Sequence, residues 1–181
     1  RYGATFLPEI DWWPIYRHDL RHSGFSTSSA PDTSDVLWTF ETGDRIVSSP
    51  AVVNGEVFIG SGNKTYAINQ LSGNLIWGTT LDDSVWVGSP AVDSGKVFIT
   101  AGGKIFALDE STGTIIWRYM LGETSQFTIA DSSSPAVSDG KVFVGSVSDG
   151  PMGNVFALDA ETGSLIWRFQ DKTGVWSSPT V

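Results

Sequence analysis

The chain has 181 residues, of which 40% are hydrophobic, 12% aromatic and 17% charged, a balance typical of a folded protein with a sizeable core. Its net charge is −9 and its Lys and Arg residues are scattered singly, which argues against nucleic-acid or anionic-membrane partners, since both require a basic patch. Cysteine is absent and no apolar stretch approaches 18 residues, so the sequence excludes disulfides and thiolate chemistry and predicts no transmembrane segment.

The first 35 residues precede the repeated part of the chain and contain its two histidines, His18 and His22. Their four-residue spacing would place both imidazoles on one face of a helix, as in some zinc sites. No third ligand is evident nearby, so packing or surface exposure is the favoured interpretation. We therefore expect no metal site here.

The dominant signal is an internal repeat that begins on the tetrapeptide Ser-Pro-Ala-Val. It occurs at 49–52, 89–92 and 134–137, and Ser-Pro-Thr-Val follows at 178–181, so the copies are 40, 45 and 44 residues apart. Each of the first three copies precedes a glycine turn, an apolar triplet, an aromatic-Ala-aliphatic unit, a Ser/Thr-Gly turn and an aliphatic run ending in tryptophan. The glycines suit hairpin turns because glycine accepts a positive φ without steric cost.

These units predict four short antiparallel strands per repeat, with full repeats near 49–77, 89–117 and 134–167. The triplets at 57–59, 97–99 and 142–144 are apolar at consecutive positions, which is typical of strands buried on both faces. Radially stacked four-stranded blades satisfy this pattern, whereas a sandwich with one wet face does not. The predicted fold is all-β, a β-propeller.

Segments 67–77, 107–117 and 157–167 read AINQLSGNLIW, ALDESTGTIIW and ALDAETGSLIW, and all fit A-x-[DN]-x-x-[ST]-G-x-x-x-W. The chain thereby resembles the PQQ-type (quinoprotein-like) β-propeller repeat family, whose tryptophan-docking motif has this form and whose tryptophans wedge between blades. Segments 12–26 and 36–40 resemble the lead-in of that family, which divides the chain into a lead-in at 1–35 and repeats at 36–181. Asn69 replaces the usual Asp in the first copy. The resemblance implies structural docking roles for Ala67, Gly73, Trp77, Ala107, Gly113, Trp117, Ala157, Gly163 and Trp167.

The predicted propeller is incomplete, with about three full blades and a partial blade at each end. Residues 36–40 read as the last strand of one blade, and 178–181 as the first strand of another. A propeller typically has about four to eight blades. Either the chain is part of a longer propeller, or copies of it complete each other through open blade edges to form a ring or a fibre.

The resemblance also frames the expected function. Dehydrogenases of the family carry an adjacent cysteine pair over their cofactor, and this chain has no cysteine. No catalytic motif is recognisable either, so we expect no enzyme, no catalytic residue and no cofactor. The leading hypothesis is a non-enzymatic, extracytoplasmic module for protein–protein interaction or self-assembly. The alternatives are a fragment of a dehydrogenase that uses pyrroloquinoline quinone with calcium, and a self-assembling cell-surface or filament subunit.

Two insertions distinguish the third repeat, at about 123–133 and 146–154. Both fall in connections that a propeller places on the same face, and binding residues concentrate on such loops. Neutral variation of loop length is the competing interpretation. The candidate partner-binding residues are Gln126, Phe127, Asp131, Asp149, Met152 and Asn154.

Overall fold

A computed structural model describes residues 11–29, 32–81, 88–122, 133–147, 153–172, 175 and 177–181. The described residues form three four-stranded antiparallel sheets, each with its strands in sequence order, and contain no helix. The expected all-β architecture of incomplete propeller blades is thus confirmed. In the described part of the chain no helix is long and apolar enough to cross a membrane.

Each blade is a meander of four short strands. The first blade contains β1 (Ala51–Val53), β2 (Glu56–Ser61), β3 (Lys64–Asn69) and β4 (Leu75–Thr80). The second contains β5 (Ala91–Asp93), β6 (Lys96–Ala101), β7 (Lys104–Asp109) and β8 (Ile115–Met120). The third contains β9 (Ala136–Ser138), β10 (Lys141–Val147), β11 (Gly153–Asp159) and β12 (Leu165–Asp171).

The first two strands of each blade are joined by a two-residue turn. At Asn54 and Gly55 the φ angles are +53° and +80°, and the equivalent pairs in the other blades behave alike. Positive φ at both central residues defines a type I′ turn, whose twist matches that of the flanking strands. This geometry sets the register in which Ala51 lies opposite Phe58.

The core lies between the blades. The first strands of neighbouring blades approach one another, so they are the innermost strands of a radial arrangement. The middle strands β6 and β7 are buried on both faces, since Val97, Phe98 and Ile99 are each at most 1% exposed. Phe98 packs in the cluster shared with the third blade, whereas Val97 and Ile99 pack in the cluster shared with the first.

The two terminal segments differ from the expected strands. Residues 36–40 pack on the outer face of the first blade, where the rings of Phe40 and Tyr66 lie 5.6 Å apart. Neither 36–40 nor 178–181 belongs to a sheet. Pairing with a neighbouring strand defines a strand, so neither segment is one among the described residues, although Trp38 and Ser178 make the same contacts as the equivalent residues of the full repeats.

Candidate functional site

The seams between blades are built by tryptophans that reach from one blade to the next. The indole Nε1 of Trp77 donates to the carbonyl oxygen of Glu110 at 2.8 Å, and that of Trp117 donates to Ala160 at 3.1 Å. Trp38 makes the same bond with Gln70 at 2.8 Å. In each case the acceptor belongs to the turn that ends in the Ser/Thr-Gly pair.

Glycine is required under each docked indole. A Cβ atom on Gly113 would lie 2.5 Å from Trp77, and one on Gly163 would lie 2.6 Å from Trp117. Both glycines also have φ near +70°, a conformation that other residues adopt at a cost. The contact therefore depends on glycine for space as well as for backbone conformation.

The turn that receives each indole is held by an Asx side chain. Oδ1 of Asp109 accepts hydrogen bonds from the backbone N–H and the hydroxyl of both Ser111 and Thr112, and these bonds lower the pKa of Asp109. Asp159 accepts bonds from Thr162 and Glu161, which lower its pKa in the same way. In the first blade the amide oxygen of Asn69, which carries no charge, accepts the corresponding hydrogen bonds. Asp109 and Asp159 therefore stabilise turns, as Asn69 does.

The predicted docking residues do not all have the same environment. Ala67, Ala107 and Ala157 are fully buried at 0% exposure. Trp77 is 7% exposed, whereas Trp167 is 43% exposed. On the blade's own side the Trp167 ring lies 6.0 Å from Phe143, just as Trp77 lies 5.9 Å from Phe58. Trp167 therefore keeps the contact within its own blade, and its outer side is exposed. Trp38, which makes an equivalent seam, was not among the predicted docking residues.

A ladder of serines links the inner strands. The backbone N–H of Ser49 donates to Oγ of Ser89 at 2.9 Å, and the N–H of Ser89 donates to Oγ of Ser134 at 3.2 Å. The N–H of Ser134 then donates to Oγ of Ser178 at 3.0 Å. The first residue of every Ser-Pro-Ala-Val copy thus joins one blade to the next. Sequence reasoning used these serines only as markers of the repeat.

The lead-in segment crosses the inner strands. Trp13 pairs with Val52 of β1, and the carbonyl of Pro14 accepts the N–H of Val92 of β5 at 2.8 Å. Ile15, 4% exposed, joins the core cluster of the second and third blades. The carbonyl of Leu20 accepts the N–H of Val181 at 3.1 Å. One short segment therefore contacts three blades and the start of the next repeat.

Asp11 fastens this segment into a loop. Its Oδ1 lies 2.7 Å from Nε2 of His18, and its Oδ2 accepts bonds from Ser26 and Thr27. The bonds from Ser26 and His18, in that order, hold the pKa of Asp11 well below its usual value. The loop is not a helix, so its two histidines do not share a helix face.

A polar cavity of about 460 Å³ lies between this loop and the inner strands. Tyr16, Arg17 and His22 line it from the lead-in. Serine pairs 133–134 and 177–178 line it from the residues that precede β9 and from the following repeat. Burial and the charge of Arg17 lower the pKa of His22, and the charge of Asp19 opposes them.

Most of the predicted partner-binding residues, namely Gln126, Phe127, Asp131, Asp149 and Met152, lie outside the described residues. Asn154 is described, and its assignment to an exposed loop is wrong. It lies in β11, is 1% exposed, and its Oδ1 accepts a hydrogen bond from Nε of Arg168 at 2.8 Å. Part of the insertion extends the hairpin, since β10 and β11 have seven residues where their counterparts have six.

The stacked four-stranded sheets with docked tryptophans define a PQQ-type, quinoprotein-like β-propeller protein. The family model described as outer membrane protein assembly factor BamB matches residues 27–180, and the chain belongs to this family. No curated protein sequence matches the chain.

Solved structures show the same fold. BamB from Moraxella catarrhalis is 22% identical with a TM-score of 0.63, and the match covers 74% of this chain and 40% of that one. Quinohemoprotein alcohol dehydrogenase from Comamonas testosteroni is 25% identical with a TM-score of 0.73, covering 88% and 27%. A europium-containing methanol dehydrogenase is 24% identical with a TM-score of 0.71, covering 90% and 32%. The chain thus spans less than half the length of each.

No group of three or more His, Asp or Glu side chains that could hold a metal occurs in the described ranges.

Proposed function

We propose that the chain is a non-enzymatic propeller module that works outside the cytoplasm by binding a further protein sheet of its own repeat type. Membership of a family described as an outer membrane protein assembly factor supports both the class of function and the location. The observation that carries the proposal is the 43% exposed Trp167, which presents the same docking group that is 7% exposed at Trp77.

The uncovered face extends along β12. Thr79, two residues after Trp77, donates its hydroxyl to the carbonyl of Gly113 at 2.6 Å, so this position contacts the neighbouring blade. Phe169 is its counterpart two residues after Trp167, and it is 61% exposed. Alternate residues of a strand share a face. Trp167 and Phe169 therefore form an apolar surface suited to a neighbouring blade.

The expected occupant is a sheet with its own Ser/Thr-Gly turn and a free carbonyl. A second copy of the chain cannot supply that turn from its described repeats, because Gly73, Gly113 and Gly163 already lie under Trp38, Trp77 and Trp117. Self-assembly through this surface is therefore disfavoured. We infer that the turn comes from another repeat sheet, either further along the same polypeptide or in a partner.

Site-specific photo-crosslinking tests the proposal. A photoreactive phenylalanine analogue at position 169, with Trp167 kept, should crosslink in the native host to a peptide that carries a Ser/Thr-Gly turn of the repeat type. The matched control is the same analogue at position 79, which should crosslink within the chain near Gly113. Crosslinking at 79 with none at 169, or crosslinks from 169 only to proteins that lack the repeat, would contradict the proposal.

The second candidate is part of a quinoprotein dehydrogenase, favoured by the 25% identity to the Comamonas enzyme over 88% of this chain. Pyrroloquinoline quinone and calcium added to the chain should produce no change in quinone absorbance and no dye reduction with an alcohol substrate. Saturable binding of the quinone with alcohol-dependent dye reduction would favour the dehydrogenase over the interaction module.

A further inference from the structure

We propose that the cavity between the lead-in loop and the inner strands binds a phosphate group. This inference does not depend on the proposed protein interaction, because it concerns a different surface of the chain. It rests on the hydrogen-bond donors and the positive charge that the fold brings together around a space of about 460 Å³.

Ser134 and Ser178 are among the residues that line the cavity. Oγ of Ser134 accepts the N–H of Ser89, and Oγ of Ser178 accepts the N–H of Ser134. A serine hydroxyl can accept and donate at the same time. Within the described part of the chain neither hydroxyl donates to any acceptor, so each has a hydrogen available for a ligand in the cavity that both side chains line.

Arg17, an exposed residue, also lines the cavity, and none of the ion pairs found within the described residues involves its guanidinium. Its backbone φ is +60°, and that of His18 is +81°. Non-glycine residues adopt this conformation at a cost, which is commonly found where function requires it. The loop is held in this shape by Asp11, whose oxygens bind His18 and Thr27.

The charges around the cavity favour an anion. His22 lines the cavity beside Arg17, and its neutral ring can donate one N–H. The charge of Asp19 acts on His22, and the oxygens of Asp19 accept bonds from Ser23 and from the N–H of Arg21. Among the described residues that line the cavity there is no carboxylate. An anion is therefore the complementary ligand.

The number of donors favours phosphate among anions. Arg17 offers a planar fork of N–H groups that matches phosphate geometry. Tyr16, Ser134, Ser178 and His22, which also line the cavity, each have one side-chain donor group. A phosphate ester presents three terminal oxygens with several lone pairs to such a set, and the cavity volume leaves room for the esterified group. The ester is either a soluble molecule or a single lipid headgroup, and the net charge of −9 favours the soluble source.

Titration calorimetry of the purified chain with inorganic phosphate and with glycerol 3-phosphate tests the soluble source. Co-sedimentation with phosphatidylcholine vesicles that contain phosphatidic acid, and with pure phosphatidylcholine vesicles, tests the lipid source. Saturable binding in either arm supports the proposal and identifies the source. The absence of saturable binding to all phosphate-bearing probes, or equal sedimentation with both types of vesicle and no soluble binding, would overturn it.

Three variants separate the site from a general charge effect. Arg17→Asn and His22→Asn keep a residue that tolerates a positive φ and remove one donor each, so each should weaken binding about tenfold or more. Arg21→Asn removes one charge from the same loop at a residue that does not line the cavity, so binding should change less than about twofold. Circular dichroism checks that each variant is folded. An equal loss of affinity in all three folded variants would contradict a site at the cavity.

Discussion

The seam between the first two blades and the outer face of the third blade are made from the same residues but have different surroundings. Trp77 docks on the turn at Gly113 and is 7% exposed, whereas Trp167 occupies the same place in its blade and is 43% exposed. The blade-internal contact is alike in both, since the tryptophan lies beside the phenylalanine of its own second strand. The docking group is therefore a property of each blade, and its burial depends on a neighbour.

Removing the indole should give the largest difference between the two regions. Trp77→Ala should lower the free energy of unfolding by about 3–5 kcal/mol, because it leaves a cavity between two blades and an unpaired carbonyl at Glu110. Trp167→Ala should cost about 1 kcal/mol, since much of that side chain is already in water. Urea unfolding of both variants measures the difference. Similar losses in the two variants would contradict the assignment of a covered seam and an open face.

The glycine under the indole should show the next largest effect. Gly113→Ala should cost about 2–4 kcal/mol, because its Cβ would collide with Trp77 in addition to adopting a positive φ. Gly95→Ala is the matched control, with φ +74° and no atom within 4 Å of the added Cβ, and should cost about 1 kcal/mol. Urea midpoints compare the two variants. An equal cost would mean that backbone conformation alone explains the glycine.

The serine ladder should contribute less. Ser134→Ala removes the acceptor of the Ser89 N–H and should lower stability by about 1 kcal/mol. Ser94→Ala serves as the control, because within the described residues its hydroxyl bonds only to the adjacent exposed Asp93, and should change stability by less than about 0.5 kcal/mol. Thermal unfolding of both variants measures the effect. If Ser94→Ala proved as costly as Ser134→Ala, the ladder would not join the blades energetically.

The turns should differ slightly in their response to acid. The pKa of Asp109 is lowered in the folded chain, so its stabilising contribution is present above the unfolded pKa and is lost as pH falls through the folded value. Asn69 holds the first turn without titrating. Asp109→Asn should therefore make unfolding less sensitive to pH below about 4. Urea midpoints at pH 3 and pH 7 test this, and an unchanged pH dependence would contradict the role given to Asp109.

The sequence predicted the blades well because their signals are local. A few consecutive residues are enough to indicate each strand, each type I′ turn and each docking motif. The repeat pattern therefore locates them without a structure. The docking role of Trp38 was missed because residues 36–40 carry only the aliphatic-Trp end of the motif, without the Ala and Gly that precede the other tryptophans. The carbonyl that accepts the hydrogen bond from Trp38, that of Gln70, lies 32 positions further along the chain.

The inner region could not be predicted from local patterns. The ladder bonds join serines that are 40 to 45 residues apart, and they exist only because the blades are arranged radially. The cavity is lined by Arg17 in a left-handed backbone conformation, which this residue type does not ordinarily indicate. Asn154 was predicted to lie in a loop because the whole insertion was interpreted as a loop. Part of the insertion instead lengthens the hairpin of β10 and β11. Loop length alone does not reveal where a strand ends.

Hydrogen exchange at the indole N–H groups, followed by nuclear magnetic resonance, tests the central comparison most directly. The indole N–H of Trp77 and that of Trp117 donate to carbonyls of the neighbouring blade, so both should exchange slowly. The 43% exposed Trp167 should exchange fast, at a rate near that of a free indole. Equal protection of Trp167 and Trp77 in the isolated chain would contradict an open docking face on the third blade.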